Sequence, residues 1–331
     1  MRSSRRRLLG LLGACAAAAR FPGSAFAQSP PAGRPRVGFL SPAPMAGMRN
    51  RYEALWAGLR ELGYTEGRNI SFEYRSAEGA YERLPALAAE LVGLKVDLIV
   101  ATGTPAAQAA KAATRSIPIV VVGAGDPVAT GLVPSLARPG GNLTGTSNIS
   151  PPLIVKRLEL IKEALPATRR AALLMNPVNP AQRLSLEAMH RAARQLNVEA
   201  RSFEARNLEE IRAGFPALRK DRVDAMVVAN DSLLIANARA IAQLAVQQRL
   251  PSAGNKEYAH AGGLIGYGSI ADVYRHSASY VDRILKGARP ADLPVEQPSR
   301  FEVILNLKTA RTISLALAPS FPARADKVIE G

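Results

Sequence analysis

The sequence predicts an α/β protein of two lobes, each built on a parallel β-sheet and joined by a hinge that the chain crosses more than once. Three observations predict this fold class. The chain has 331 residues, more than one domain usually holds. Hydrophobic residues make up 47% of it but aromatic residues only 5%, which favours helices packed on Val- and Ile-rich strands. From Arg36 onward, short β-branched runs alternate with amphipathic stretches, as in parallel strands joined by right-handed crossovers.

Residues 1–27 are predicted to be a signal peptide and not part of that fold. Three arginines, Arg5 to Arg7, precede the apolar run Leu8–Ala19, and Ala25–Ala27 supplies small residues where a signal peptidase would cut. The apolar run is too short to anchor the chain in a membrane. The paired arginines resemble a twin-arginine export signal, so we expect a periplasmic protein.

A lipoprotein signal is the alternative, because Leu12–Cys15 resembles a lipobox with Cys15 as the lipidated residue. Soluble export is favoured, since the Ala-x-Ala site is well formed. Cys15 is also the only cysteine, so a chain cleaved at Ala27 would have no disulfide, thiol catalysis or cysteine metal site.

The positive charge of the chain does not predict nucleic-acid binding. The formal net charge is +16, and subtracting the five arginines of residues 1–27 leaves +11 for the remainder. The remaining basic residues are interleaved with Ala, Leu and Glu on predicted helix faces. A solvated surface explains this distribution better than a nucleic-acid interface does.

The first lobe is predicted from alternating strands and helices that end near residue 145. Strands are predicted at 37–40, 70–74, 96–100 and 117–122, and helices at 52–62, 84–91 and 105–114. Residues 134–151 are rich in Pro, Gly, Asn, Thr and Ser, so we place the first crossing between the lobes there.

The second series repeats this rhythm. Helices are predicted at 153–165, 181–196, 208–218 and 233–248, and strands at 171–175, 198–203 and 225–229. A glycine-bracketed strand at 262–268, a helix at 273–287, a linker at 288–298, a strand at 301–306 and a final helix from Leu307 follow. We therefore expect two Rossmann-like lobes, residues 36–145 with about 269–298 and residues 146–268 with about 299–331.

No catalytic motif is present in the sequence. A complete Gly-x-Gly-x-x-Gly, a phosphate loop and a Gly-x-Ser-x-Gly elbow are all missing, and the three histidines lack the spacing of a zinc helix. We expect no enzyme activity, no cofactor and no metal. An enzyme with a His–Ser or His–carboxylate site assembled from distant segments stays an alternative.

Polar, loop-forming residues follow five of the predicted strands, where an open parallel sheet binds its ligands. The segments are Ser41-Pro42, Thr102–Pro105, Gly125–Pro127, Asn176–Asn179 and Asn230–Ser232. Helix capping alone accounts for some of them, such as Thr104. Asp126 could bind a ligand amino group, but a backbone cap or a nearby arginine would explain it equally well. Tyr258 and Tyr267 could stack on a flat ligand or simply pack in the fold.

Several longer strings resemble the ABC transporter substrate-binding family that includes tryptophan- and tyrosine-type binding proteins. They are Gly125–Val128, Gly131–Val133, Ser135–Asn142, Tyr280–Gly287, Pro290–Pro298 and Asn306–Ala310. The resemblance covers nearly the whole chain after the signal peptide. The segment Ser252–Tyr258 departs from the aromatic-containing version expected there, which leaves aromatic specificity open.

The resemblance implies a type I periplasmic-binding-protein fold that captures a small solute, such as an amino acid, between its lobes for an ABC permease. By family position, the ligand-binding residues would be Ser41, Thr102, Thr104, Asp126, Asn176, Asn179, Asn230, Tyr258 and Tyr267. We expect a monomer with no nucleic-acid partner. An exported sensory protein, and less readily an exported enzyme, are the alternatives.

Overall fold

The computed structural model describes residues 33–331, apart from the side chains of residues 270–272. The signal peptide and Cys15 lie outside the described residues. A first sheet has five parallel strands in the order β2-β1-β3-β4-β5. Its strands are β1 Arg36–Ser41, β2 Ser71–Ser76, β3 Leu98–Thr102, β4 Ile119–Ala124 and β5 Leu143–Ser147.

A second sheet has seven strands in the order β12-β11-β10-β9-β8-β6-β7. Its strands are β6 Arg170–Met175, β7 Glu199–Glu204, β8 Ala225–Val228, β9 Ser252–Gly254, β10 Ile265–Gly268, β11 Glu302–Asn306 and β12 Lys327–Ile329. Strands β6 to β10 run parallel, whereas β11 pairs antiparallel with β10 and carries β12 parallel beside it.

Eleven α-helices are described, and they divide between the two sheets. Helices α1, α2, α3 and α10 pack on the first sheet, α7 follows β8 but packs onto the first lobe, and the others belong to the second sheet. Their bounds are α1 Arg49–Glu61, α2 Leu84–Gly93, α3 Gly103–Ala113, α4 Ser150–Ala164, α5 Ala181–Gln195, α6 Leu208–Lys220, α7 Ser232–Ala236, α8 Ala238–Gln247, α9 Lys256–His260, α10 Ile270–Leu285 and α11 Leu307–Thr312.

Both faces of the first sheet are buried, as expected of a parallel sheet covered by helices. Val37 and Phe39 of β1 pack on the side of α1 and α10, while Leu40 packs on the side of α2 and α3. In β3, Val100 and Ile99 divide in the same alternating way. The Val- and Ile-rich strands therefore form the centre of this lobe.

The chain passes between the two sheets three times, after β5, after β10 and before β11. The predicted α/β architecture of two lobes joined by several crossings is confirmed. The segment before β11 also closes against the first sheet, because Thr146 and Glu296 form a bridge beside β5. The three crossings lie beside one another, since Thr146, Ser269 and Arg300 line one cavity, and this is the arrangement of a hinge.

Two predicted elements differ from the structure. Residues 134–151, where we place the first crossing, also contain β5, the edge strand of the first sheet. The composition of this strand, Leu-Thr-Gly-Thr-Ser, is typical of a loop, so the sequence did not predict it. The glycine is required, because Gly145 has φ +134° and a Cβ at that position would lie 2.1 Å from the Val121 carbonyl oxygen. The helix expected at 233–248 is two helices, α7 and α8, that meet at Asn237.

Candidate functional site

The two lobes meet where the carboxyl ends of both sheets face each other, around a cavity of ≈ 30 Å³. Loops that follow β3, β4, β6 and β8 surround it, together with the first crossing and helices α1 and α10. The lining residues are Arg51, Gly103, Thr104, Val122, Gly123, Gly125, Asn148, Asn179, Asn230, Asp231, Ser232, Ile235 and Tyr274. A space of this size holds only water, so a solute would enter when the lobes separate.

The lobes are closed on each other in this structure. A Cβ added to Gly125 would lie 2.5 Å from the Ala181 methyl of the other lobe, and one added to Gly47 would lie 2.6 Å from that of Ala236. These glycines therefore allow the two lobes to approach each other closely.

A buried carboxylate, Asp231, joins the lobes at the cavity. Its Oδ1 accepts a 2.9 Å hydrogen bond from the Tyr81 hydroxyl of the opposite lobe, and its Oδ2 accepts one of 2.9 Å from Asn179. The Leu233 amide also donates to Oδ1 at 3.0 Å, which caps α7. Burial raises the pKa of Asp231, and these hydrogen bonds oppose that shift.

A buried guanidinium, Arg157 of α4, lies behind the cavity. It donates to the carbonyl oxygens of Val228 and Tyr267 and, at 2.9 Å, to Oδ1 of Asn230. No carboxylate of the described residues pairs with it, and burial lowers its pKa to about 9. Arg157 thus fixes the ends of β8 and β10 and the orientation of Asn230.

Four buried polar atoms of the described residues have no hydrogen-bond partner, and all belong to segments around the cavity. They are Asn148 Oδ1, Ser150 Oγ, Gln182 Oε1 and Asn230 Nδ2. Native folds leave few such atoms unpaired, because each costs about 1–3 kcal/mol of desolvation without compensation. Their grouping in one place makes the cavity the candidate ligand site of the described residues.

Each of the three side-chain amides in this group has one polar atom that is hydrogen-bonded, and this bond fixes the orientation of the amide. Asn148 donates through Nδ2 to the Gly123 carbonyl at 3.1 Å, and Gln182 donates through Nε2 to the Asn230 carbonyl at 2.9 Å. Asn230 accepts from Arg157 through Oδ1, so its Nδ2 is the free end. The unpaired set is therefore two carbonyl-type acceptors, one hydroxyl and one N–H donor.

Of the predicted site residues, Thr104, Asn179 and Asn230 line the cavity. Asn176 lies just behind them, where its Nδ2 is 3.4 Å from Oδ1 of Asp231. Thr104 accepts from the Gly125 amide at 3.0 Å, so its hydroxyl also joins the loops after β3 and β4.

The structure does not bring Ser41, Thr102 or Asp126 to the cavity. Ser41 Oγ lies 2.6 Å from the Tyr52 hydroxyl inside the first lobe, and buried Thr102 faces the Leu40 carbonyl at 3.5 Å. Asp126 accepts from the Ala129 amide at 3.0 Å and closes its own turn. A backbone cap, one of the explanations considered from the sequence, is the contact that the structure gives this carboxylate.

Both predicted tyrosines also lie away from the cavity lining. Tyr258 is fully buried in the second lobe, where its ring packs against Gly254 and Gly263 and its hydroxyl is 2.9 Å from Ser252 Oγ. Tyr267 stacks on Phe301 near the crossings, with ring centroids 5.7 Å apart. Packing thus accounts for both rings.

A histidine–carboxylate pair occurs near the hinge and outside the cavity. His276 Nε2 lies 2.6 Å from Glu296 Oε2, and both side chains are nearly half exposed. Groups of three His, Cys, Asp or Glu side chains able to hold a metal are absent from residues 33–331 as described. No helix in this part of the chain has both the length and the apolarity to cross a membrane.

The predicted site residues do not include Arg51, Tyr81, Asn148, Ser150, Gln182 or Asp231. Asp231 lies in Asn230–Ser232, one of the five segments that follow predicted strands, so its position after a strand was a signal that could have identified it. Gln182 follows the Asn-Pro turn after β6 in the same way. Arg51 and Tyr81 carry no such signal, because they reach the cavity and its border from a helix and a turn of the first lobe.

Comparison with known proteins decides the family. The family model described as ABC transporter substrate binding protein matches residues 37–329. The chain belongs to this family. A curated relative, the tyrosine-binding protein of Clostridioides difficile, is 28% identical over 259 residues, 78% of this chain and 74% of the relative.

Two solved structures show the same architecture. A conserved domain protein from Vibrio cholerae has a TM-score of 0.83 at 26% identity, covering 89% of this chain and all of that one. An ABC domain from Streptococcus pneumoniae, solved in complex with L-Trp, has a TM-score of 0.79 at 25% identity, covering 88% and 100%. This substrate-binding protein therefore shares its fold with proteins that capture small solutes, and the predicted family and function are confirmed.

Proposed function

We propose that this substrate-binding protein captures an amino acid or a closely related zwitterionic solute between its lobes. The four unpaired polar atoms support this ligand class. Asn148 Oδ1 and Gln182 Oε1 accept hydrogen bonds, which suits an ammonium group, and Asn230 Nδ2 donates one, which suits a carboxylate or carbonyl. The names of two relatives point to the same class, since one is a tyrosine-binding protein and the other was solved with L-Trp.

The N-terminus of α3 adds to the donors of the site. Gly103 and Thr104 begin this eleven-residue helix and line the cavity, and no side chain caps it. The free N–H groups and the partial positive charge of a helix N-terminus favour an anionic group. A zwitterion would thus meet acceptors and donors in one enclosed space.

The captured solute is delivered, in this proposal, to an ABC permease in the cytoplasmic membrane by a monomeric periplasmic protein. Thr104, Asn179 and Asn230 contact it directly, and residues 36–145 with about 269–298 form one of the lobes that closes on it. Binding shifts the equilibrium toward the closed form, whose two lobes together present the surface for the permease. The protein makes and breaks no bond in the solute.

A thermal-shift screen of residues 28–331 against amino acids, sugars, nucleosides and aromatic acids tests the ligand class. A ligand present at 1,000 times its Kd stabilises the folded state by about 4 kcal/mol, which is a large shift. We expect a saturable shift with at least one amino acid, recovered unchanged after incubation. A shift only with solutes of another class would contradict the amino-acid proposal, and conversion of the bound solute would make the protein an enzyme.

A further inference from the structure

Arg51 of α1 places a guanidinium in the cavity between the lobes. Its side chain is only 5% exposed and lies 5.5 Å from the centre of the Tyr274 ring of α10. A buried guanidinium requires a nearby anion or full hydrogen bonding, because desolvation of a cation is costly. The identity of that anion is therefore informative about the site.

The anion beside Arg51 in the closed structure is Glu257 of the opposite lobe. Glu257 Oε2 lies 3.1 Å from Nη2 of Arg51, and this is the one ion pair that the described residues form with either group. Arg–carboxylate pairs are strongest as forks with two parallel N–H bonds, whereas one bond is formed here. The Glu257 side chain is 30% exposed, so it can turn to solvent.

The second buried guanidinium near the cavity is not available to a ligand. Arg157 donates to two backbone carbonyls and to Asn230, and it lies behind the cavity lining. Arg51 differs because it is in the lining itself, where it lies beside the Tyr274 ring and forms its ion pair with one partly exposed carboxylate.

We propose that Arg51 binds the carboxylate of the captured solute and that Glu257 occupies this position when no solute is held. The inference rests on the proposed capture of an amino acid. The solute carboxylate would form the fork that Glu257 does not form, with support from the N-terminus of α3. Its ammonium group would then meet the unpaired acceptors Asn148 Oδ1 and Gln182 Oε1. Arg51 thereby selects for a free carboxylate and rejects amides and decarboxylated amines.

Calorimetry with L-tyrosine, L-tryptophan, L-leucine and L-glutamine, each beside its primary amide, tests this proposal. We expect the wild-type protein to bind at least one acid about 100-fold more tightly than its amide, as truncation of a buried charge pair implies. Arg51→Met should weaken the acid to the level of the amide. Arg49→Met, an exposed position on the same helix, is the matched control and should change neither affinity.

Glu257→Gln tests the competing carboxylate separately and leaves the buried arginine in place. We expect the acid to bind several-fold more tightly while the amide is unchanged, because the competing anion is gone. If Glu257→Gln instead weakens the binding of acid and amide equally, the Arg51–Glu257 pair serves to stabilise the closed form, and the proposal is overturned. Should Arg51→Met fail to fold by circular dichroism, Glu257→Gln alone decides.

The two proposals fail in different ways. Binding of an acid whose preference over the amide survives Arg51→Met overturns the role of Arg51 and leaves amino-acid capture standing. Equal affinity of the wild-type protein for acid and amide would likewise overturn the role of Arg51 and leave amino-acid capture standing. No binding of any of the four acids or other amino acids overturns both.

Discussion

At the scale of single residues, Ser150 gives the cleanest test of the site, because its Oγ is buried and has no partner in the described residues. Ser150→Ala removes this atom alone. We expect the ligand-free protein to be at least as stable as wild type, since an uncompensated desolvation cost disappears. We expect the affinity for the amino acid found in the screen to fall about fivefold to tenfold, as loss of one hydrogen bond implies.

Ser185→Ala is the matched control for that substitution. Ser185 is also fully buried, but its Oγ donates to the Ala181 carbonyl within α5. Denaturation and calorimetry should show lower stability and unchanged affinity. A Ser150→Ala protein that loses stability and keeps its affinity would remove this hydroxyl from the site.

The raised pKa of Asp231 predicts how the free energy of unfolding depends on pH. Burial raises its pKa above the ordinary 3.8, so between about pH 4 and the folded-state pKa the native protein holds more protons than the unfolded chain. The contribution of Asp231 to the free energy of unfolding is therefore full below pH 4 and declines as pH rises through that window. Urea denaturation of wild type and Asp231→Asn from pH 4 to 8 measures it. The stability difference, wild type minus variant, should fall with rising pH; a constant or rising difference contradicts the assignment.

The sequence predicts individual site residues less well than it predicts helices and strands. Thr104, Asn179 and Asn230 were found because residues after parallel strands reach one edge of a sheet. Tyr258 follows a strand too, but glycines at 254 and 263 leave room for its ring in the core. Whether such a side chain points into the cavity or away from it depends on packing partners that are distant in sequence.

At the scale of elements, α7 of the second lobe packs onto the first lobe. Leu233 joins the apolar cluster on the α2 and α3 side of the first sheet, and its amide donates to the Tyr81 hydroxyl at 3.1 Å. The same hydroxyl donates to Asp231. The contact joins the two lobes in the closed structure, and we expect it to be lost when they separate.

Tyr81→Phe removes this hydroxyl and keeps the ring. We expect solute affinity to fall roughly tenfold, because the closed form loses a hydrogen bond to a buried carboxylate. The melting temperature without ligand should change little. Tyr74→Phe is the control, since the one partner of the Tyr74 hydroxyl among the described residues is the exposed Glu66 of its own lobe, at 3.4 Å. Unchanged affinity in calorimetry would contradict a role for this contact in closure.

Elements with a clear hydrophobic period were predicted from the sequence, and those without one were not. Strands β3 and β4 are apolar runs, and α5 and α6 have clear apolar faces. Strand β5 is Leu-Thr-Gly-Thr-Ser, which has the composition of a loop. Its place at the sheet edge depends on pairing with β4, which local sequence does not encode.

At the scale of the whole molecule, the close approach of the lobes at Gly125 makes closure sensitive to one methyl group. Gly125→Ala would place a Cβ 2.5 Å from that of Ala181 in the closed form. We expect each lobe to fold normally and solute affinity to fall by the cost of overpacking, about 1–3 kcal/mol. Gly93→Ala is the control, since nothing lies within 4 Å of its added Cβ. Equal affinities for the two variants would contradict closure at this contact.

The central claim, that the lobes close on a captured solute, is tested most directly by a distance across the mouth of the cleft. Residues 28–331 contain no cysteine, so Ala129→Cys and Arg183→Cys, both exposed, allow two spin labels on opposite lobes. Pulsed electron spin resonance then gives the distance distribution with and without the amino acid found in the screen. We predict that saturating ligand moves the population to the short distance of the closed structure; a distribution that does not change on saturation would contradict the account.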